Sequence, residues 1–305
     1  MRREAKAVTD MEKYSSCALC PRACRADRAM GKTGACHSTA TPLVAHAMLH
    51  FWEEPCLSGT NGSGAVFFSG CPLGCIYCQN EKISRGGVGK AHSLEDLSSL
   101  YLSLEEKGAH NVNLVTATHY APHVISSVAL AKDRGLSVPI IYNTAGYESV
   151  DTLRTLESTV DVYLTDFRYA RAETAKAYSQ AADYPTVAEA ALAEMVRQKP
   201  KPVFDGKGLM KSGVIVRLLL LPSHLIEAKM ILKSVFEGYG DSVYISLMSQ
   251  YTPTKEFEKY PNLSRCVSAA EYRSFVAYAQ ALGVKNAFIQ EGSAASESFI
   301  PKFEG

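Results

Sequence analysis

The sequence predicts an α/β fold in which parallel strands curve into a complete or partial barrel, with a small cysteine-rich module before it. From residue 65 onward, apolar runs typical of strands alternate with stretches whose apolar residues recur in helical period. The predicted strands are nearly uniformly apolar, as strands covered on both faces should be. Residues 1–60 lack this alternation and are loop-rich. Six β/α units in series therefore favour a (β/α)6-type barrel.

The predicted strands are rich in Val, Ile, Leu, Phe and Tyr. In chain order they cover residues 65–69, 111–117, 139–143, 160–165, 213–221 and 242–248, and a short seventh follows at 286–290.

Helix signals lie between these strands. The stretch Ser93–Asp96 resembles a capping box and Gly108 ends the first helix, while Pro122 opens the second and Gly135 closes it. Further helices are predicted over residues 149–156, 172–179, 186–198, 225–236 and 269–282. The Pro- and Gly-rich stretch 199–211 is predicted to be an exposed insertion.

Composition limits the class of protein. The chain has 305 residues, of which 47% are hydrophobic, enough for one domain of roughly 200–250 residues plus an appendage. A net charge of +1 without long charged runs does not support nucleic acid or an anionic membrane as the main partner. No secretory signal is expected, and the longest apolar run, 214–222, is too short to span a bilayer.

We expect a module over 1–60, a barrel domain over 61–295 and a tail over 296–305.

Cysteines cluster at the start of the chain. Eight of the nine fall within residues 17–78, and Cys266 stands apart. Disulfides that stabilise a fold are usually spread along it, whereas metal ligands cluster. This distribution favours metal ligation in a reducing compartment, so we expect a cytoplasmic protein.

Three of these cysteines, Cys71, Cys75 and Cys78, follow the first predicted strand at x3 and x2 spacing. Three thiolates in one short loop can hold three irons of a [4Fe–4S] cluster and leave the fourth iron open to a small molecule. Gly70 and Gly74 suit a loop that wraps a bulky cluster. The alternative is a structural zinc knuckle, which needs a fourth ligand nearby; the histidines closest in sequence are His50 and His92.

The spacing resembles that of the radical S-adenosylmethionine (SAM) superfamily. Within it, the chain resembles the PflX-type proteins, which are named for a likeness to pyruvate formate-lyase activating enzymes. The resemblance covers about residues 15–290 and is carried by the segments 67–80, 108–116, 142–147, 178–179 and 183–185. It implies a radical SAM barrel with a [4Fe–4S] cluster on Cys71, Cys75 and Cys78, and SAM on the open iron.

The resemblance also implies contacts to SAM. Tyr77 would lie against the adenine, and Arg217 matches a strand arginine that contacts SAM in activating enzymes. Asn143-Thr144 and Asp166-Phe-Arg168 stand where those enzymes have an acidic-Thr and an Asp-x-Lys pair near the methionine carboxylate and a cation. The usual Gly-Gly-Glu after the second strand is replaced by a segment beginning at Thr116, so a hydroxyl or backbone carbonyl there would accept the SAM amino group.

A second set, Cys17, Cys20, Cys24 and Cys36, has the number and spacing of a complete four-thiolate site. Zinc would fold this loop-rich segment, and an auxiliary [4Fe–4S] cluster would relay electrons. Sequence alone leaves both open.

The sequence therefore predicts a radical SAM enzyme of oxidoreductase type that cleaves SAM reductively and abstracts hydrogen from a substrate. No catalytic side chain is assigned. The substrate is a glycyl radical enzyme, a peptide or a small molecule, and we expect a one-electron donor such as flavodoxin or ferredoxin. The competing class is a non-catalytic iron–sulfur electron-transfer or scaffold protein.

Overall fold

A mostly parallel sheet runs through the computed structural model, which describes residues 11–290. Its strands in chain order are β1 (Leu43–His50), β2 (Ser63–Phe68), β3 (Lys90–Ala91), β4 (Val112–Val115), β5 (Ile140–Thr144), β6 (Val162–Asp166), β7 (Val203–Phe204), β8 (Met210–Leu219), β9 (Tyr244–Met248) and β10 (Ala287–Ile289).

The sheet has a single continuous order, β10-β9-β8-β6-β5-β4-β2-β1-β3. The strands from β2 to β10 in that order are parallel, whereas β1 pairs antiparallel with β2 and β3 pairs antiparallel with β1. Strand β7 pairs antiparallel with β8 beside this path. This α/β architecture is compatible with the predicted barrel-like fold.

Helices connect the parallel strands. They are α1 (Pro55–Ser58), α2 (Glu81–Ser84), α3 (Leu94–Glu106), α4 (Ala121–Asp133), α5 (Val150–Leu156), α6 (Ala172–Ser179), α7 (Tyr184–Gln198), α8 (Leu225–Tyr239) and α9 (Ala269–Leu282). Capping boxes at Ser93 and Ser268 start α3 and α9, because each serine accepts the N–H three residues on while the acid there accepts the N–H of the serine. Within residues 11–290, no helix is long and apolar enough to cross a membrane.

The predicted alternation is confirmed, with strand and helix bounds shifted by a few residues at most. Strand β1 was not predicted, because its residues are mostly half-buried and include His46 and His50, so it lacks the uniformly apolar signal of a central strand. Strand β7 lies within the stretch predicted as an exposed insertion. The predicted domain boundary at residue 60 stays a prediction. Strand β1 lies within the predicted module 1–60, yet it pairs with β2 and is part of the sheet. The predicted tail 296–305 lies outside the described residues.

Apolar side chains pack between the sheet and the helices. Every residue of β2 and of β5 is buried, as the uniformly apolar runs predict. Because the central strands are parallel, their carboxyl ends lie along one edge of the sheet, where ligand sites form in such folds.

The amino-terminal segment packs against this edge. Arg28 is buried and donates to the carbonyl oxygens of Ser38 (3.0 Å), Thr39 (2.7 Å) and His119 (2.7 Å). Its guanidinium also lies 4.8 Å from the centre of the Tyr14 ring. A buried arginine with its hydrogen bonds satisfied ties the cysteine-rich segment to the loop after β4.

Candidate functional site

A cavity of about 510 Å³ lies at the carboxyl ends of the parallel strands. Its lining includes all three cysteines of the motif loop and all seven residues predicted to contact SAM. These ten are Cys71, Cys75, Cys78, Tyr77, Thr116, Asn143, Thr144, Asp166, Arg168 and Arg217. They come from five different βα junctions or strands, so the fold brings together residues that are up to 146 positions apart (217 − 71).

The motif loop leaves β2 through Gly70. This glycine has φ +90°, and a Cβ there would lie 2.1 Å from the Ser38 hydroxyl and 2.6 Å from the Cys36 carbonyl oxygen. The next residue, Cys71, donates its N–H to that same carbonyl oxygen at 3.2 Å. A side chain at position 70 is therefore excluded both by backbone conformation and by the close approach of the amino-terminal segment.

Helix α6 and Arg22 hold the motif loop from the other side. The Ile76 N–H donates to the Tyr178 carbonyl oxygen at 2.9 Å. The Arg22 guanidinium donates to carbonyl oxygens of Pro72 (2.9 Å) and Ser179 (2.7 Å), which joins the loop to the end of α6. Its remaining hydrogen bonds go to the carbonyl oxygens of Leu73 and Gln180.

Burial and neighbouring sulfurs shift the pKa values of Cys71 and Cys78 in the motif loop. Burial, together with the neighbouring Cys75 and Cys78 sulfurs, raises the pKa of Cys71 to about 12. Burial likewise raises the pKa of Cys78, with Cys75 adding to the effect. Uncompensated thiolates are unfavourable in such surroundings, whereas a cationic metal centre would stabilise them.

In the part of the chain that the structure describes, no group of three or more His, Cys, Asp or Glu side chains is arranged to hold a metal ion. A cluster differs from a single ion, because each thiolate binds a different iron and the sulfurs surround the cluster instead of converging on one point. The donor set and the cavity beside it fit a cluster held by three cysteines. Arg168 Nε adds a buried donor that finds no acceptor among the described residues.

Arg217 is the centre of a network of buried polar groups. Its guanidinium donates to Asp166 Oδ1 (2.8 Å), to Asn143 Oδ1 (2.6 Å) and to Glu53 Oε2 (3.3 Å). Arg168 pairs with the other oxygen of Asp166. Although burial acts to raise it, the two arginines hold the pKa of Asp166 below its usual range. The cavity thus has a carboxylate kept ionised between two guanidinium groups.

Glu53 and Glu54 line the same cavity, and sequence reasoning missed them. Glu53 Oε1 also accepts hydrogen bonds from the amides of Asn113 (2.9 Å) and Asn143 (3.3 Å). Burial raises the pKa of both acids, and the charge of Arg217 offsets part of that effect. They follow the unpredicted β1, whose last residue, His50, pairs with Ser63 at the amino-terminal end of β2, so the turn that carries them lines the cavity from the amino-terminal edge of the sheet.

Tyr77 points into a cluster of aromatic rings and is only 3% exposed. Its ring meets those of Tyr169, Tyr178 and Tyr251 edge to face, with centroid distances of 6.5, 6.0 and 6.0 Å. Such contacts fix the ring that forms this part of the cavity wall. The contact to an adenine stays a prediction.

Thr116 and Thr144 occupy neighbouring strand ends. Thr116 has φ +59°, a left-handed conformation that is strained for a β-branched residue and is therefore a feature to expect at a functional site. Thr144 donates through its hydroxyl to Glu148, which also accepts from Thr118 and, at 3.4 Å, from Tyr142. Burial raises the pKa of Glu148 to about 7, although the three hydroxyl donors act in the opposite direction.

The second cysteine set lies outside the cavity lining. Cys17, Cys20 and Cys36 are buried, and Cys24 is exposed. Burial, together with the nearby Cys36 and Cys17 sulfurs, raises the pKa of Cys20 to about 12. The sulfurs of Cys17, Cys20 and Cys36 are therefore close enough to affect one another, and metal binding by the set of four stays a prediction.

Comparison with known proteins gives limited information. No protein-family model matches the chain. The chain is similar to an uncharacterized protein of Methanocaldococcus jannaschii, with 23% identity over 265 residues that cover 85% of this chain and 72% of the relative. Similarity of 23% identity to an uncharacterized protein assigns neither a family nor an activity to this chain.

Proposed function

We propose that this protein is a radical SAM iron–sulfur enzyme. The observation that carries the proposal is that the three cysteines of the Cys71–Cys78 loop line the same cavity as all seven residues expected to contact SAM. They follow or belong to five strands of the sheet, and the fold brings them to one cavity. The proposed fold is accordingly a radical SAM partial barrel with a cysteine-rich module over residues 1–60.

Cys71, Cys75 and Cys78 would hold a [4Fe–4S] cluster, and Tyr77, Thr116, Asn143, Thr144, Asp166, Arg168 and Arg217 would contact SAM. When bound and reduced, these two groups supply a 5′-deoxyadenosyl radical that abstracts hydrogen from a substrate. The protein's own part is to position them and to exclude water.

The charged network prepares the cavity for a zwitterionic ligand. Arg168 has its Nη2 on Asp166 and its Nε without an acceptor, so it can receive a carboxylate oxygen without losing its ion pair. The Thr116 carbonyl and hydroxyl lie at the end of β4, where a positively charged amino group would need an acceptor. Arg168 and Thr116 would thus offer a donor to the carboxylate and an acceptor to the amino group of SAM.

The proposal extends to the surroundings of the site. The second cysteine set would bind zinc or an auxiliary [4Fe–4S] cluster, a flavodoxin or ferredoxin would supply electrons, and the protein would work in the cytoplasm. The substrate is a glycyl radical enzyme, a peptide or a small molecule; nothing in the cavity selects among them.

The test is anaerobic reconstitution with iron and sulfide, followed by SAM and dithionite, with 5′-deoxyadenosine measured by chromatography. We expect the wild type and the Cys266→Ala variant to form it, since Cys266 is exposed and outside the cavity lining. Cys75→Ala should form none. An intact cluster that yields no 5′-deoxyadenosine in the wild type would favour the non-catalytic electron-transfer or scaffold class.

A further inference from the structure

The Cys75 sulfur is surrounded by hydrogen-bond donors. Ser179 Oγ donates to it at 3.1 Å, Arg168 Nη1 lies 3.6 Å away and the Tyr169 hydroxyl 3.8 Å away. We propose that Ser179 is a positioning residue that raises the reduction potential of the cluster by hydrogen-bonding the Cys75 ligand. This proposal rests on the proposed function, since it assumes a cluster on Cys75.

The Ser179 hydroxyl lies between the Cys75 sulfur and the Tyr169 hydroxyl, whose oxygen is 2.7 Å away. Tyr169 donates its single proton to the Tyr77 hydroxyl at 2.8 Å. The hydroxyl proton that reaches Cys75 is therefore that of Ser179.

The backbone around this hydrogen bond is fixed as well. Ser179 is the last residue of α6 and is 2% exposed. Its carbonyl oxygen is held by Arg22, and the carbonyl of the preceding Tyr178 accepts the Ile76 N–H one residue after Cys75. These backbone hydrogen bonds hold Ser179 and Cys75 next to each other. A stable hydrogen bond to a cysteine that ligates a cluster requires such an arrangement.

The expected effect follows from charge. One-electron reduction by an external low-potential donor adds negative charge to a cluster and its thiolate sulfurs. A hydrogen bond donated to a sulfur stabilises the reduced state more than the oxidised state, and hydrogen bonds to sulfur are among the features that set cluster potentials. Removing the Ser179 hydroxyl should make reduction harder.

The experiment is a potentiometric titration of the reconstituted protein, followed by electron paramagnetic resonance. At a fixed potential, Ser179→Ala should lower the ratio of reduced to oxidised cluster by roughly five- to tenfold, the size expected for one hydrogen bond. Ser179→Thr keeps the hydroxyl and should restore the wild-type ratio.

A matched control is available in the same fold. Ser127 is also a buried helical serine beside a tyrosine, with its Oγ 3.3 Å from the Tyr101 hydroxyl, but it does not line the cavity. Ser127→Ala should leave the ratio unchanged. An unchanged ratio in Ser179→Ala, with iron content equal to the wild type, would overturn the proposal. Failure of the wild type to bind a cluster at Cys71, Cys75 and Cys78 would instead reject the proposed function.

Discussion

Arg217 is the residue on which the charge balance of the cavity depends. It bonds Asp166 and Glu53, which are both largely shielded from solvent, and it is itself 14% exposed. Removing one member of a buried ion network leaves the other charges uncompensated, which costs much more than the network itself contributes.

We therefore predict that Arg217→Met lowers the free energy of unfolding by about 3–5 kcal/mol, measured by urea denaturation. The control is Lys233→Met, since Lys233 pairs with Glu237 at 3.7 Å on the surface and its loss should cost at most about 1 kcal/mol. Equal effects of the two substitutions would show that the buried network does not stabilise the fold.

Glu148 makes stability depend on pH. Its pKa is about 7 in the folded protein, against an ordinary value of 4.5. Between these two pH values the folded state keeps a proton that the unfolded state has released. The contribution of Glu148 to the free energy of unfolding is therefore complete below about pH 4.5 and is lost as the pH rises through 7. The greatest loss from this group is about 3 kcal/mol.

Glu148→Gln mimics the protonated form and should remove this loss. We predict that the free energy of unfolding of the wild type, relative to the variant, falls as the pH is raised from 5 to 8. Urea denaturation across that range measures it. The surface variant Glu237→Gln should show no such trend, and a wild type that gains stability over the variant with rising pH would contradict the prediction.

At the scale of elements, the motif loop is stable because it is held between the amino-terminal segment and α6. Arg22 joins them through hydrogen bonds to carbonyl oxygens on both sides. The buried side chains of Leu73 and Tyr77 pack into the main core and add to this support.

We predict that Arg22→Ala increases hydrogen exchange at the Ile76 amide about tenfold, because that amide bonds the end of α6 that Arg22 helps to hold. Mass spectrometry of the peptide spanning residues 71–78 measures the exchange. Arg25→Ala changes an exposed arginine three residues away and should leave it unaffected. Unchanged exchange in Arg22→Ala would mean that other contacts suffice to hold the loop.

For the whole molecule, the two cysteine groups meet at one point. The Cys71 N–H donates to the Cys36 carbonyl oxygen, so the two predicted metal sites are neighbours in space. This adjacency suits an auxiliary cluster that passes electrons to the first, and it also suits a zinc site that supports the motif loop.

Metal analysis separates these two roles. We predict that replacing Cys71, Cys75 and Cys78 together by alanine removes the iron of one [4Fe–4S] cluster and leaves the metal on Cys17, Cys20, Cys24 and Cys36. Iron or zinc measured in that variant by mass spectrometry then identifies the second site. The Cys266→Ala variant serves as the control with full metal content. A triple variant that keeps all its iron would show that the motif loop is not the cluster site.

The sequence by itself determined the order of strands and helices and the cysteine loop, because both are local. An apolar run or a helical period is contained within a few turns of chain, and three cysteines within eight residues stay together in any fold. Only the tertiary structure decided which groups distant in sequence contact the cysteine loop and the strand ends. Glu53 reaches Arg217 across 164 residues, Arg22 reaches Ser179 across 157 and Ser179 reaches Cys75 across 104. Contacts over such separations depend on the pairing of β1 with β2 and on where α6 ends, and neither leaves a periodic signal in the chain.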